Sequence, residues 1–184
     1  MALTPSTMLA LETPAPYFEL PDAISGKTFS INNLKGEKAS VVMFICNHCP
    51  YVIHVNPEIA RIAKDYKHKG ISFVAISSND IEAHPEDAPD KMKTLAAEAG
   101  FDFPYLYDES QSVAKDYDAA CTPDFYIFDK NLKLSYRGRI DNSRPNSAIP
   151  LSGKDLRTAL DAILEEKAVS PVQFPSMGCN IKWK

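Results

Sequence analysis

The chain has 184 residues, 45% hydrophobic and 24% charged, with a net charge of −4. Those proportions fit a single globular domain with a buried core, and the mild acidity gives no electrostatic reason to expect nucleic acid or an anionic membrane as partner. No run approaches the roughly 18 apolar residues of a membrane span. Met1-Ala2-Leu3-Thr4-Pro5 also lacks the basic region and apolar run of a secretory signal, so a cytoplasmic location is expected.

Residues 1–27 carry Pro14, Pro16 and Pro21 around Tyr17-Phe18-Glu19-Leu20 and read as an extended arm with room for a short edge strand. Residues 40–45 are nearly all apolar, the pattern of a strand buried on both faces. Val52, Val55, Ile59, Ile62 and Ala63 then recur at helical spacing, predicting a helix from the cysteine pair to Lys69, kinked at Pro57 and stopped by Gly70. Ile71 to Ser77 is a second buried strand. Strand, helix and strand in this order form a βαβ unit with parallel strands and a right-handed crossover.

Residues 79–90, with Asp80, Glu82, Glu86, Asp87 and Asp90 among prolines, read as a solvated acidic loop. A helix follows to Ala99, with Met92, Leu95, Ala96 and Ala99 on one face and Gly100 as its stop. Residues 103–107 are predicted as a short strand and 110–117 as a short helix. Residues 124–128 and 133–136, joined by Asp129-Lys130-Asn131, predict an antiparallel hairpin. A last helix is expected from the box-like Ser152-x-x-Asp155, turning Leu156, Leu160, Ile163 and Leu164 inward. The tail, residues 168–184, is expected to be irregular.

Chemistry concentrates at Cys46-Asn47-His48-Cys49, where the first apolar strand gives way to the first helix. A helix start presents free N–H groups that favour an anion, and the thiolate is the nucleophile of disulfide exchange. The first sulfur is expected to lie exposed there. The competing uses of the pair are a structural bridge or half of a zinc site. Zinc wants four ligands, commonly from two close-spaced pairs, whereas Cys121 and Cys179 stand alone; His48 and His54 are the remaining candidate ligands. Redox use is favoured over metal, and no cofactor is required. His48, when cationic, would stabilise a neighbouring thiolate.

One parallel βαβ followed by an antiparallel ββα is the thioredoxin arrangement. The expected fold class is therefore α/β: a thioredoxin-like central mixed β-sheet flanked by helices, with an N-terminal extension and a helical insertion between the halves. The motifs strengthen this. Ala15-Pro16-Tyr17-Phe18-Glu19-Leu20-Pro21-Asp22, Asn33-Leu34-Lys35-Gly36, the Cys46–Cys49 motif with Pro50, Cys121-Thr122-Pro123-Asp124-Phe125 and the ending Gly178-Cys179-Asn180-Ile181-Lys182-Trp183-Lys184 resemble the redoxin, or peroxiredoxin-like, branch of the thioredoxin superfamily. The resemblance covers nearly the whole chain.

It implies that Cys46 is the exposed nucleophile and Cys49 the resolving thiol. It also implies that Pro123, after Thr122, is a cis-proline whose loop packs against the sulfurs and offers backbone to a bound peptide. Two features depart from the pattern. A peroxidase would carry Pro seven and Thr three residues before its reactive cysteine, but those positions are Val42 and Cys46 for Cys49, and Ala39 and Met43 for Cys46. The residue before Cys46 is Ile45, where thioredoxin has Trp. No buried acid is evident among residues 38–45, which offer only Lys38 and the Ser40 hydroxyl.

The leading expectation is a thiol-disulfide oxidoreductase acting on a protein or small-molecule disulfide with a thiol electron donor. A thiol peroxidase is the first alternative, and a zinc- or copper-binding protein the second. Cys121 is open between a third redox thiol and a small buried hydrophobe. Cys179 is read first as a tail cysteine packed by Ile181 and Trp183, and second as an auxiliary thiol. Arg139 is read as a strand-end surface residue rather than a thiolate partner.

Overall fold

The structure, a computed structural model, describes residues 3–184. In chain order the first half holds β1 (Leu3–Pro5), β2 (Glu19–Pro21), β3 (Thr28–Ser30), β4 (Ala39–Phe44), α1 (Pro50–Tyr66), β5 (Ile71–Ser77) and α2 (Pro89–Ala99). The second half holds β6 (Tyr105–Tyr107), α3 (Ser112–Asp116), β7 (Cys121–Thr122), β8 (Asp124–Asp129), β9 (Leu134–Gly138), α4 (Lys154–Leu164) and β10 (Met177–Asn180).

The central sheet is mixed, in the order β6-β5-β4-β8-β9. β5 runs parallel to β4, with Val41 opposite Phe73, and β6 runs parallel to β5. β8 runs antiparallel to β4, with Met43 opposite Phe125, and β9 completes the expected hairpin. Every residue of β4 is buried, Ser40 included, as its nearly continuous apolar run requires.

Alternation along β4 divides the core in two. Val41, Met43 and Ile45 pack with Val52, Val55, Ile59 and Ile62 of α1, Met92 of α2, and Leu156 and Leu160 of α4. Val42 and Phe44 face the other way, onto Phe18, Val113, Tyr117, Tyr126, Phe128 and Ile181. Tyr117 is the hub of that second core, with the rings of Phe44, Tyr126 and Phe128 5.5 to 5.8 Å from its own. Among the described residues, no helix is long and apolar enough to cross a membrane.

Three expectations are corrected. The first helix begins at Pro50, not at the cysteine pair, because Cys49 is extended and caps it while proline fits the first helical position. It contains Pro57, runs to Tyr66 and passes into a 3-10 turn that Gly70, as expected, ends with a φ of +83°. The Ser152-x-x-Asp155 box does not form. Gly153 occupies the cap, and the Asp141 carboxylate accepts from the N–H groups of Ser152 (2.7 Å) and Gly153 (2.6 Å) instead.

The arm contains real pairing, since β2 and β3 form a small antiparallel sheet. The tail does too. β10 is the middle strand of a three-stranded sheet, order β1-β10-β7, so the two ends of the chain are stitched together beside the first cysteine motif. Met177, Cys179, Ile181 and Trp183 alternate with Gly178, Asn180, Lys182 and Lys184, the period of a strand, so the expectation of an irregular tail gives way to a local signal completed by partners on both sides.

Candidate functional site

The site lies where β4 ends and α1 begins. Ile45 prolongs the sheet by one hydrogen bond, its N–H donating to the Ile76 carbonyl (3.0 Å), and the chain then turns into the cysteine motif. All four cysteines are reduced and buried. Cys46 is 1% exposed and Cys49 0% exposed, so the expectation of an exposed first sulfur is corrected: the loop of Thr122 and Pro123 covers it. The Thr122–Pro123 bond is cis. The Thr122 hydroxyl lies 3.3 Å from Cys46 Sγ, and the Thr122 carbonyl lies 3.4 Å from Cys49 Sγ.

The cysteine pair is joined by a third sulfur. Cys46 and Cys49 are hydrogen-bonded to each other, and Cys49 Sγ is 2.7 Å from Cys179 Sγ. The strand register explains this placement, because Cys179 is the ladder partner of Thr122 on one side and of Leu3 on the other. Gly178 makes the close approach possible: a Cβ there would sit 1.9 Å from the Thr122 carbonyl oxygen. The primary expectation for Cys179, a thiol packed away in the tail, is thus corrected by the pairing of β10 with β1 and β7.

Cys49, touched by both neighbours, is the sulfur whose pKa is drawn down. Hydrogen bonding from the Cys46 thiol is the largest influence holding it down to about 5, against the opposing effect of burial; the Cys179 thiol and the main-chain N–H groups of Val52 and Cys179 act in the same sense. Cys46 is pushed well up by that same shared proton, by burial and by the Asp87 carboxylate. Burial and the hydrogen bond to Cys49 push Cys179 up to about 12. The arrangement is a row of three sulfurs with Cys49 in the middle.

Asp87 is the residue that sequence reasoning missed. It sits in the acidic stretch read as solvated, yet it is fully buried. Its carboxylate accepts from the Asn47 N–H (2.7 Å), from the Asn79 side-chain amide (2.7 Å) and from His48 Nδ1 (2.7 Å). A buried carboxylate persists only with such partners. Asn79 in turn accepts from the Lys182 N–H (2.9 Å), which ties this acid to the segment beyond β10. No pattern distinguishes Asp87 from Asp80, Glu82 or Asp90 nearby; only the fold does.

His48 is half-buried. Besides Asp87 it lies 3.7 Å from Glu86 and stacks on the His84 ring at 5.1 Å. Its bond to Asp87 fixes the Nδ1–H tautomer, since an ionised carboxylate only accepts. Two overlapping sets, Cys46 with His48 and Asp87, and His48 with His84 and Glu86, have donor atoms within 4.8 Å of one another and could hold a cation. His54, the other expected candidate, is bonded to the Ser143 hydroxyl at 2.8 Å instead.

The remaining candidates lie apart. Cys121 turns its thiol toward the Pro123 carbonyl (4.0 Å), and burial beside Asp124 pushes it far up. Arg139 is committed to Asp155 (2.6 Å), Asn142 (2.8 Å) and the Phe174 ring. The Ser40 hydroxyl accepts from the Gly36 N–H at 3.0 Å, in a turn.

Two solved structures match along nearly their full length. An uncharacterised conserved protein from Geobacillus kaustophilus is 56% identical, covering 100% of this chain and 97% of its own, with a TM-score of 0.98. A hypothetical protein from Sinorhizobium meliloti 1021 is 45% identical over 98% of each chain, with a TM-score of 0.96. A secreted Mycobacterium tuberculosis disulfide oxidoreductase shares the fold at 18% identity, covering 79% of this chain and 95% of its own, with a TM-score of 0.62. Comparison with curated proteins found no match. The AhpC/TSA family model matches residues 11–137. With a thioredoxin-like sheet and a cysteine pair at the head of its first helix, this chain belongs to the AhpC/TSA family, within the redoxin branch of the thioredoxin superfamily.

Proposed function

We propose that the protein is a thiol-disulfide oxidoreductase cycling between a Cys46/Cys49 dithiol and a Cys46–Cys49 disulfide. The observation that carries this is the contact of the Cys46 and Cys49 sulfurs at the head of α1, beneath the Thr122–Pro123 loop, with hydrogen bonding that draws the Cys49 pKa down. Cys46 is the sulfur that meets substrate. Half-buried Asn47 and His48 and exposed Pro50 form the lip beside it, whereas Cys49 lies behind, against Cys179 and Thr122.

Moving the Cys46 proton onto Cys49 places the charge on Cys46, where the Thr122 hydroxyl can donate to it. Cys46 then attacks one sulfur of the substrate disulfide. The substrate S–S bond breaks, a Cys46–substrate bond forms, and one substrate thiolate leaves and takes up a proton. Cys49 gives up its proton again, attacks Cys46 Sγ and displaces the second substrate thiolate. Two electrons pass to the substrate and the pair is left oxidised. An external thiol donor reverses the sequence. Asp87 opposes charge on Cys46, and His48 is hydrogen-bonded to that acid.

The test uses glutathione disulfide. Cys49→Ser is expected to accumulate a glutathione adduct on Cys46, because the resolving thiol is gone. An adduct that maps elsewhere, or a wild-type exchange rate in Cys46→Ser, would overturn the reading.

A further inference from the structure

Cys179 sits in a position that a redox pair alone does not require. It lies on a strand clamped from both sides, opposite Leu3 and opposite Thr122. A glycine precedes it, and no larger residue fits that position without moving the Thr122 carbonyl. The result is a sulfur 2.7 Å from Cys49 Sγ, with Cys49 in contact with both other thiols. Closing the Cys49–Cys179 contact to bonding distance needs a shift of under about 1 Å.

We propose that Cys179 is the third redox thiol of this site and exchanges with Cys46 for a disulfide to Cys49. The proposal rests on the reading of Cys46 and Cys49 as a redox pair. In the oxidised protein, Cys179 attacks Cys49 Sγ of the Cys46–Cys49 bond. The Cys49–Cys179 bond forms, the Cys46–Cys49 bond breaks, and Cys46 leaves as a thiolate. The proton lost by Cys179 ends on Cys46. No electrons enter or leave, so no further oxidant or reductant is needed. The oxidised state moves inward, to a bond between the head of α1 and the middle strand of the small sheet, and Cys46 returns to the thiol form at the lip.

Burial does not bar the exchange, because all three sulfurs are already in contact and none must cross solvent. Nor does any other thiol compete, since Cys121 points toward the Pro123 carbonyl and not into this row. The Asn79–Lys182 bond and the Ser6–Ser176 pair hold the segments on either side of β10, so the strand presents Cys179 at a fixed height above Cys49.

The experiment is oxidation of the folded, fully reduced protein with one equivalent of diamide, followed by acid quenching and mass-spectrometric mapping, on the wild type, Cys46→Ser and Cys179→Ser. The proposal expects both Cys46–Cys49 and Cys49–Cys179 peptides in the wild type. It expects Cys49–Cys179 as the main product in Cys46→Ser, and Cys46–Cys49 alone in Cys179→Ser. Wild-type mapping is decisive even if a variant fails to fold. Absence of the Cys49–Cys179 peptide from the wild type and from Cys46→Ser would overturn the third-thiol proposal, and Cys46–Cys49 in Cys179→Ser would then leave the redox pair standing. Absence of Cys46–Cys49 from the wild type and Cys179→Ser would overturn the pair itself.

Discussion

Replacing Gly178 with alanine tests whether a close backbone approach is what brings Cys179 to the other sulfurs. The new Cβ would lie 1.9 Å from the Thr122 carbonyl oxygen and 2.7 Å from its carbon, where ordinary contacts begin at 3.4 Å. β10 must therefore retreat from β7 by about 1.5 Å, and overpacking of this kind costs roughly 1–3 kcal/mol. Retreat also strains the short ladder between the strands, where each lost hydrogen bond removes about 1 kcal/mol. A total near 3 kcal/mol lowers the melting temperature of a chain this long by about 6–12 °C. The assay pairs a thermal melt with diamide oxidation and disulfide mapping. Gly178→Ala is expected to melt lower and to lose most of the Cys49–Cys179 product while still forming Cys46–Cys49. A variant that melts within 2 °C of wild type and keeps the Cys49–Cys179 yield would refute the claim that this glycine sets the sulfur geometry.

Three other outcomes are expected. In a Cys49→Ser background, Asp87→Asn should speed iodoacetamide alkylation of Cys46 at pH 7 by tenfold or more. It removes a charge within 4.8 Å of the sulfur, a Coulomb interaction of about 3.5 kcal/mol at that distance and an effective dielectric near 20; an unchanged rate would mean that Asp87 does not govern this thiol. Burial raises Asp124 to about 7, so the folded state keeps a proton that the unfolded chain releases near pH 4. Its contribution to stability is complete below that pH and falls by roughly 4 kcal/mol as pH climbs to about 7. Asp124→Asn should flatten this slope in urea melts taken across the range, and parallel wild-type and variant curves would contradict the assignment. Hydrogen peroxide should oxidise the reduced protein no faster than a free thiol, because neither cysteine has the peroxidase setting and Arg139 is bound to Asp155 and Asn142. Stopped-flow consumption far above that rate would favour peroxide as the substrate.

The sequence shows those parts of the molecule whose signal is local. β4 and β5 are legible as apolar runs, α1 as a 3.6-residue repeat, and the β8–β9 hairpin as two runs around a turn. The cysteine pair is legible because spacing and placement coincide. What stays hidden depends on partners distant in the chain. The partners of β10, β1 and β7, lie far from it in sequence and stay hidden, although Met177, Cys179, Ile181 and Trp183 alternate with polar residues and Gly178 as a strand does. Asp87 is indistinguishable from its acidic neighbours until the Asn47 N–H, His48 and Asn79 surround it. The same holds for the cap on α4, where a local Ser-x-x-Asp pattern gives way to Asp141 reaching in from the preceding loop.

The register of β10 links covalent state to strand pairing. Cys179 and Thr122 are ladder partners, so anything that draws Cys179 away from Cys49 also strips the edge of β7 and bares its hydrogen-bonding groups. An unpaired strand edge is a template for another strand. On the far side β1 is only three residues long and ends in Pro5, which has no N–H to offer an incoming chain. The outer border of the small sheet is thus blunted, while its inner border stays latent beneath β10. Sulfur and strand edge would be unmasked in one movement.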